Sequence, residues 1–294
     1  MLAPETKHAT VSGTTRLLAV LGHPISHSLS PAMHNASFAA TGQDYLYVPL
    51  DVTLEDLPEA VRGLAVCGFR GFNVTMPHKE AMVGLVDELD LVAEVSGAVN
   101  TVVIPPEGEP LIGMNTDGGG FIEAASEAGI SFAGRAVAVV GAGGAAAAIS
   151  CAVLESGCEK IRIVNRSPER ARRLAERLVS HFPDREIRVF GADEIPAALD
   201  GVRVAVNTTY LGMKGGDEFP IPQECLEPEL AVCDAVYRRD RSTELVRLAR
   251  EAGALVMEGG RMLLYQGVLA QRAWTGVEPD VAVMSAALRA KRTS

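Results

Sequence analysis

Arg135-Ala136-Val137-Ala138-Val139-Val140-Gly141-Ala142-Gly143-Gly144-Ala145-Ala146 is the stretch on which the fold turns. An apolar strand runs to Val140 and breaks into a G-x-G-x-x-A turn, which opens an alanine-rich helix reaching to about Ser156. The glycines permit a tight turn and close approach of the backbone to a pyrophosphate, which then sits on the free N–H groups of a helix N-terminus. A glycine motif alone says little. Placed between a strand and a helix, it favours dinucleotide binding over a merely structural turn.

The same rhythm extends outward from this point. Downstream, strand-like runs at 161–164, 186–190 and 202–207 alternate with helices. Upstream, strand-like runs at 17–21, 45–50 and 71–74 alternate with helix-like segments at 31–41, 54–64 and 80–89, the mark of a parallel-sheet α/β unit. A short strand at 101–104, a Pro/Gly-rich turn at 105–110 and a second run at 111–113 read as a small hairpin closing this first unit. Segments 262–273 and 280–291 read as two helices whose apolar faces need cover, and they are expected to return to the first unit. The expected fold is therefore α/β, with two α/β domains flanking a cleft, the second of Rossmann type. The first domain is residues 1–116, completed by the C-terminal helices 262–294, and the dinucleotide-binding domain is 117–261.

Bulk properties agree with two domains, since 294 residues exceed one comfortable hydrophobic core. With 48% hydrophobic and 22% charged residues, neither disorder nor a membrane protein is favoured, and no apolar run is long enough to span a bilayer. The residues before Leu17, with Lys7, His8 and Arg16 among them, contain no apolar block and read as a tail, not a signal peptide. A net charge of −10 argues against nucleic-acid or anionic-membrane partners, so an anionic ligand must be caught by local cations. Cys67, Cys151, Cys158, Cys225 and Cys233 are odd in number and lack C-x-x-C spacing, as free thiols in a reducing cytoplasm would be. His23, His27 and His34 are spaced as metal ligands can be, but no acidic or thiolate residue accompanies them, and no metal is assigned.

The end of the strand after the glycine turn discriminates between cofactors. An NAD site usually places Asp or Glu there for the ribose 2′-hydroxyl, whereas this chain has Asn165-Arg166-Ser167 with Arg170 one turn on. Guanidiniums attract a 2′-phosphate and bind it bidentately, so NADP is expected over NAD. The plainer alternative is that Arg166 and Arg170 are solvated helix charges like Arg172 and Arg173.

Chemistry is concentrated in Gly71-Phe72-Asn73-Val74-Thr75-Met76-Pro77-His78-Lys79. Phe72, Val74 and Met76 alternate with Asn73 and Thr75 in the period of a strand, Pro77 stops it, and Lys79 projects from the turn that follows. An isolated lysine there would be a surface residue; a hydroxyl four positions before it suggests a small polar ligand. In the loop Gly22 to Pro31, Ser28 and Ser30 share a face if the chain is extended, and two hydroxyls suit a carboxylate. They suit helix capping as well. Gly97-Ala98-Val99-Asn100-Thr101 supplies an amide and Gly113-Met114-Asn115-Thr116-Asp117-Gly118 a carboxylate, each of which taken singly reads as a turn or cap residue.

Taken together, these segments resemble the shikimate dehydrogenase (shikimate/quinate dehydrogenase) family in order, spacing and residue type. The resemblance runs from Leu17 to Gly276 and includes Asn207-Thr208-Thr209, Gly212-Met213, Gly260, Met262, Leu263 and Gln266. It implies an NADP-dependent oxidoreductase that reversibly reduces 3-dehydroshikimate to shikimate with NADPH, on the route to chorismate and the aromatic amino acids. Lys79 and Asp117 would be the catalytic pair, Lys79 as general acid and base and Asp117 chiefly as its orienter. Ser28 and Ser30 would hold the substrate carboxylate, and Thr75, Asn100 and Gln266 its ring hydroxyls, with Tyr237 nearby. Gly141, Ala142, Gly143, Gly144, Ala145, Asn165, Arg166, Ser167 and Arg170 would hold the dinucleotide phosphates. Asn207, Thr208, Thr209, Met213, Gly260 and Met262 would lie on the nicotinamide side.

Two departures stand out. After Tyr237 the family commonly carries Pro and then Thr where this chain has Arg239 and Ser242, with Thr243 one place late. Ser167 replaces the usual Thr of the phosphate-binding turn. Two rival readings are an NAD-dependent quinate or mixed quinate/shikimate dehydrogenase, against which Ser30 and Asn165-Arg166 tilt, and a non-catalytic ligand-sensing relative, against which Lys79 and Asp117 together argue. The protein is expected in the cytoplasm, as a monomer or homodimer acting on a small-molecule substrate.

Overall fold

The computed structural model describes residues 11–106, 109–213, 220–238 and 241–290. The tail with Lys7 and His8, positions 107 and 108 of the Pro/Gly-rich turn, Arg239 and residues 291–294 lie outside the described residues.

In the first lobe β1 (Arg16–Gly22), α1 (Ser30–Thr41), β2 (Tyr45–Asp51), α2 (Leu57–Val66) and β3 (Gly71–Val74) follow the alternation read from the sequence. Helical crossovers allow β1 to pair in parallel with both β2 and β3. Segment 80–89, expected as a helix, is instead a 3-10 turn over Ala81–Leu85 followed by β4 (Glu88–Leu89). Gly84 weakens a helix at its centre, and Glu88 and Leu89 pair with Ile112 and Gly113. Tertiary pairing wins over local pattern. After α3 (Leu91–Ser96), capped by the Asp90 carboxylate accepting from the Ala93 N–H at 2.7 Å, come β5 (Thr101–Val103) and β6 (Ile112–Met114). β5 runs antiparallel to both β3 and β6. The sheet, ordered β2-β1-β3-β5-β6-β4, is thus mixed, where the alternation predicts a parallel one. The hairpin read at 101–113 is its antiparallel part.

The second lobe contains α4 (Thr116–Glu127), β7 (Ala136–Val140), α5 (Gly144–Glu155), β8 (Lys160–Val164), α6 (Pro168–His181), β9 (Glu186–Phe190), α7 (Ile195–Leu199), β10 (Val204–Asn207), β11 (Ala231–Asp234), α8 (Glu244–Glu251) and β12 (Val256–Glu258). Its sheet is ordered β12-β11-β10-β7-β8-β9 with every pair parallel. The chain winds outward from β7 to β9 and then crosses back to β10, so the strand order reverses between β7 and β10. Ligands of open α/β sheets sit at the carboxyl ends of the strands flanking that reversal. Residues Ala146 to Leu154 of α5 are all buried, because the helix is enclosed by its sheet, α3 and α4. Neither β11 nor β12 is anticipated from the sequence, since each is too short to show a period.

The last two helices, α9 (Gly259–Thr275) and α10 (Val281–Ala290), return to the first lobe as expected. Ala270 and Trp274 join Leu18, Val20, Phe38 and Tyr47 in one apolar cluster, while Leu264 and Val268 pack with Met33 and Met284 in another. The Trp274 indole donates to the Val102 carbonyl at 2.9 Å, fixing the end of α9 on the first sheet. Among the described residues no helix is long and apolar enough to cross a membrane.

Candidate active site

The turn after β3 presents Lys79 at the joint between the lobes. His78, fully buried, donates from Nε2 to the Val52 carbonyl at 2.7 Å, and the Val99 N–H donates to the Lys79 carbonyl at 2.9 Å. The turn is therefore pinned on both sides. Asp117 stands in the first turn of α4, where the N-cap Asn115 side chain accepts from the Asp117 N–H at 3.0 Å. A carboxylate here is favoured by the partial positive charge of the helix N-terminus. Lys79 Nζ donates to Asp117 Oδ2 at 2.7 Å, with the two side chains 34% and 19% exposed. Both remain within reach of a ligand.

A buried polar web supports the pair. Asn100 donates to Asp117 Oδ1 at 3.0 Å, and its own Oδ1 accepts from the Thr116 N–H and the Thr101 hydroxyl, both at 2.9 Å. Behind it Asn73 donates to the Asn100 carbonyl at 3.1 Å and to Thr101 Oγ1 at 3.0 Å, while accepting from the Tyr47 hydroxyl at 2.7 Å. Burial raises the Tyr47 pKa well above that of a free phenol, against a lowering contribution from the Ser30 hydroxyl. Asn73 and Tyr47 are absent from the sequence-derived site. Asn73 was visible as the polar residue alternating inside the Gly71–Lys79 run, but nothing local showed it turning inward.

A cavity of about 430 Å³ opens over this web. Ser28, Ser30, Thr75, Lys79, Asn100, Asp117, Tyr237 and Gln266 all line it, and they come from six separate stretches of chain. The serines do not get there by strand alternation, because Leu29 between them is helical and α1 already begins at Ser30. Ser28 accepts the Ser30 N–H at 3.3 Å, so Ser28 faces the cavity and also supports the helix start. Gln266 currently donates to the Leu263 carbonyl at 2.9 Å. Ala235 and Gly259 complete the wall contributed by the second lobe. Gly260 does not: it borders a different cavity with Arg261 and Ser285, whereas Gly259 and Met262 line this one. The helical start at Gly259 decides which of the two glycines faces inward.

The glycine turn borders a second cavity, of about 910 Å³, lined by Ala142, Gly143, Gly144 and Arg170. Gly141 lies at φ +123°, and a side chain there would put its first carbon 2.2 Å from Thr208 Oγ1. Only glycine lets β7 and the β10 end approach so closely. The N-terminus of α5 carries no side-chain cap, leaving its N–H groups to an anion. Arg166 and Arg170 are exposed and, among the described residues, have no ion-pair partner. Asn165 braces their turn by donating to the Ser167 carbonyl at 2.9 Å. These residues therefore suit a phosphorylated dinucleotide. Of the residues expected near the nicotinamide, Met213 is exposed, Thr208 donates to the Val140 carbonyl at 2.8 Å, and Asn207 is fully buried with its amide engaged at both ends. Asn207 thus shapes the wall from behind.

Three family models match this chain: the shikimate dehydrogenase substrate binding domain over residues 20–102, shikimate / quinate 5-dehydrogenase over 123–211, and the shikimate 5′-dehydrogenase C-terminal domain over 259–289. A shikimate dehydrogenase (NADP(+)) of Rubrobacter xylanophilus is 56% identical over 278 residues, covering 95% of this chain and 97% of its own. The crystal structure of shikimate 5-dehydrogenase from Thermus thermophilus in complex with NADP(H) and shikimate is 39% identical with a TM-score of 0.81, covering 94% of this chain and 99% of that one. Quinate dehydrogenase from Corynebacterium glutamicum in complex with NAD is 32% identical with a TM-score of 0.86, covering 94% and 99%.

Proposed function

The chain belongs to the shikimate dehydrogenase family, and from that premise we propose that it is an NADP-dependent oxidoreductase that reversibly reduces 3-dehydroshikimate to shikimate. The observation that carries this reading is the Lys79–Asp117 contact of 2.7 Å inside a cavity that also gathers Ser28, Ser30, Thr75, Asn100 and Gln266. NADPH, when bound, supplies the hydride. Its phosphates are held by the glycine turn and by Arg166 and Arg170.

The chain's own part is binding, orientation and proton transfer. Ser28 and Ser30 take the substrate carboxylate, and Thr75, Asn100 and Gln266 take its hydroxyls, with the Gln266 amide leaving Leu263 to do so. Lys79, as an ammonium held by Asp117, stabilises negative charge developing on the carbonyl oxygen and delivers a proton to it. In the opposite direction its amine accepts that proton. Asn100, bonded to the other oxygen of Asp117, fixes which oxygen Lys79 uses. The substrate-holding lobe is residues 1–116 with the C-terminal helices, and the dinucleotide-holding lobe is 117–261. We place the protein in the cytoplasm, as a monomer or homodimer.

The test is a spectrophotometric assay of shikimate and quinate, each with NADP and NAD. Shikimate with NADP should be fastest. Faster turnover of quinate with NAD would move the protein to the quinate branch of the family, and no turnover with any pair would make it a ligand-binding relative.

A further inference from the structure

Among the described residues Asp234 is the one Asp or Glu in the buried interior, with no exposed surface at all. A carboxylate withdrawn from water is costly unless hydrogen bonds replace its hydration, and burial here pushes the Asp234 pKa up. Its partners come from three different segments. Oδ1 accepts from the Asn207 amide at 2.8 Å and from the Val236 N–H at 3.0 Å, and Oδ2 accepts from the Thr243 hydroxyl. Glu258, opposite Asp234 in the next strand, is paired to Arg250.

Two of these bonds continue toward the cleft, and the third anchors α8. Asn207 Oδ1 accepts from the Thr209 N–H at 3.0 Å and the Thr209 hydroxyl at 2.7 Å, so fixing Asn207 fixes the turn after β10. The Ala235 N–H donates to the Asn207 carbonyl at 2.9 Å, tying the neighbouring segment to the same residue. On its other side that segment lies against Gly259, where a first side-chain carbon would meet the Ala235 and Val236 carbonyls at 2.6 Å. It has no slack. Ala235, Tyr237 and Gly259 all line the cavity that holds Lys79. Thr243 caps α8, accepting from the Val246 N–H at 3.4 Å while donating to Asp234.

We propose that Asp234 is a positioning residue: one buried carboxylate gathers Asn207, Val236 and Thr243 and so sets the 207–209 turn and the 235–237 segment at the separation a bound nicotinamide ring needs. This rests on the NADP reading given above. Asp234 itself meets no ligand; it acts through the 207–209 turn and the Ala235–Val236 backbone that lies against Gly259. Because the wall belongs to the second lobe, its displacement should mislead the nicotinamide and leave the substrate's carboxylate and hydroxyl contacts in the first lobe intact.

The experiment compares Asp234→Asn, Thr243→Val and Thr243→Ser with the parent enzyme, measuring kcat, the KM for NADP and for shikimate, the primary isotope effect with NADPH deuterated at the transferred position, and melting temperature. Misplacing reacting groups by about 1 Å costs up to about a hundredfold in rate. Asp234→Asn and Thr243→Val should therefore lose about tenfold or more in kcat, raise the KM for NADP and enlarge the isotope effect, while the KM for shikimate moves less than about twofold. Thr243→Ser, which keeps the hydroxyl, should restore the parent values. If Asp234→Asn does not fold, Thr243→Val decides. Parent-like kcat and KM values accompanied only by a lower melting temperature would overturn the proposal, as would a Thr243→Ser enzyme no better than Thr243→Val. An inactive parent would overturn the NADP-dependent reading itself, a result distinct from an active parent with indifferent variants.

Discussion

Oδ1 of Asp117 accepts a hydrogen bond from the Asn100 amide at 3.0 Å, and this reserves Oδ2 for Lys79. The carboxylate cannot rotate without breaking the first bond, so the direction from which Lys79 approaches is set by a residue that is itself held by Thr101 and Thr116.

Lys79→Ala should reduce kcat by about a hundredfold to ten-thousandfold, the range for loss of a positioned general acid. Substrate affinity, measured by calorimetric titration, should survive, because the serines and Gln266 are untouched. Near-normal turnover would remove Lys79 from the chemistry.

Arg166→Ala should raise the KM for NADPH about tenfold or more, as loss of a charge-assisted bond worth ~1.5–3 kcal/mol predicts. NADH, which lacks the 2′-phosphate, should be almost unaffected. Steady-state titration of both cofactors decides it, and equal effects would make Arg166 a solvated surface charge.

Gly141→Ala should destabilise the protein by about 2 kcal/mol or more, since the residue would be strained at its present φ and would press on Thr208. A fall in melting temperature together with weaker NADP binding is expected. An unchanged melting curve would show that the two strand ends can part at little cost.

His34 gives a pH dependence of stability with a definite sign. It is fully buried against Tyr47, with Nδ1 bonded to Gln271 Oε1 at 3.1 Å and Nε2 without a partner among the described residues, and desolvation lowers its pKa to about 4. The unfolded chain protonates this histidine near 6.5, so between about 6.5 and about 4 the unfolded state holds the extra proton. Stability therefore falls as pH drops through that window, by ~3 kcal/mol in all, and is unaffected by His34 above it. Denaturant unfolding between these limits should show the slope, and His34→Asn should remove its share of it. An identical slope in the variant would assign the acid loss to other groups.

What was legible in the sequence was what is local. The Gly71–Lys79 run and the Gly141–Ala146 turn carry their own backbone constraints, in Pro77 and in the glycines, so they could be placed on strand ends without tertiary information. What stayed hidden depended on neighbours distant in the chain. Asn73 and Asp234 look like ordinary polar residues at strand positions until Tyr47, Asn100, Asn207 and Thr243 close around them. Segment 80–89 has a helical pattern yet ends in β4, because β6 offers it a partner. The choice of Gly259 over Gly260 follows from where α9 begins, a boundary that spacing alone does not fix.

The path of α9, from the end of β12 in one lobe to Trp274 in the core of the other, has a consequence for how the chain is made. Leu18, Val20, Met33 and Phe38 emerge from the ribosome long before Leu264, Val268, Trp274 and Met284, against which they pack. At translation speeds of about 5–20 residues per second the nascent lobe waits roughly 10 to 50 seconds with its oily flank uncovered. The apolar face of β1 and α1 is thus finished only when α9 and α10 arrive, and its exposure over that interval is an aggregation hazard that bears on yield.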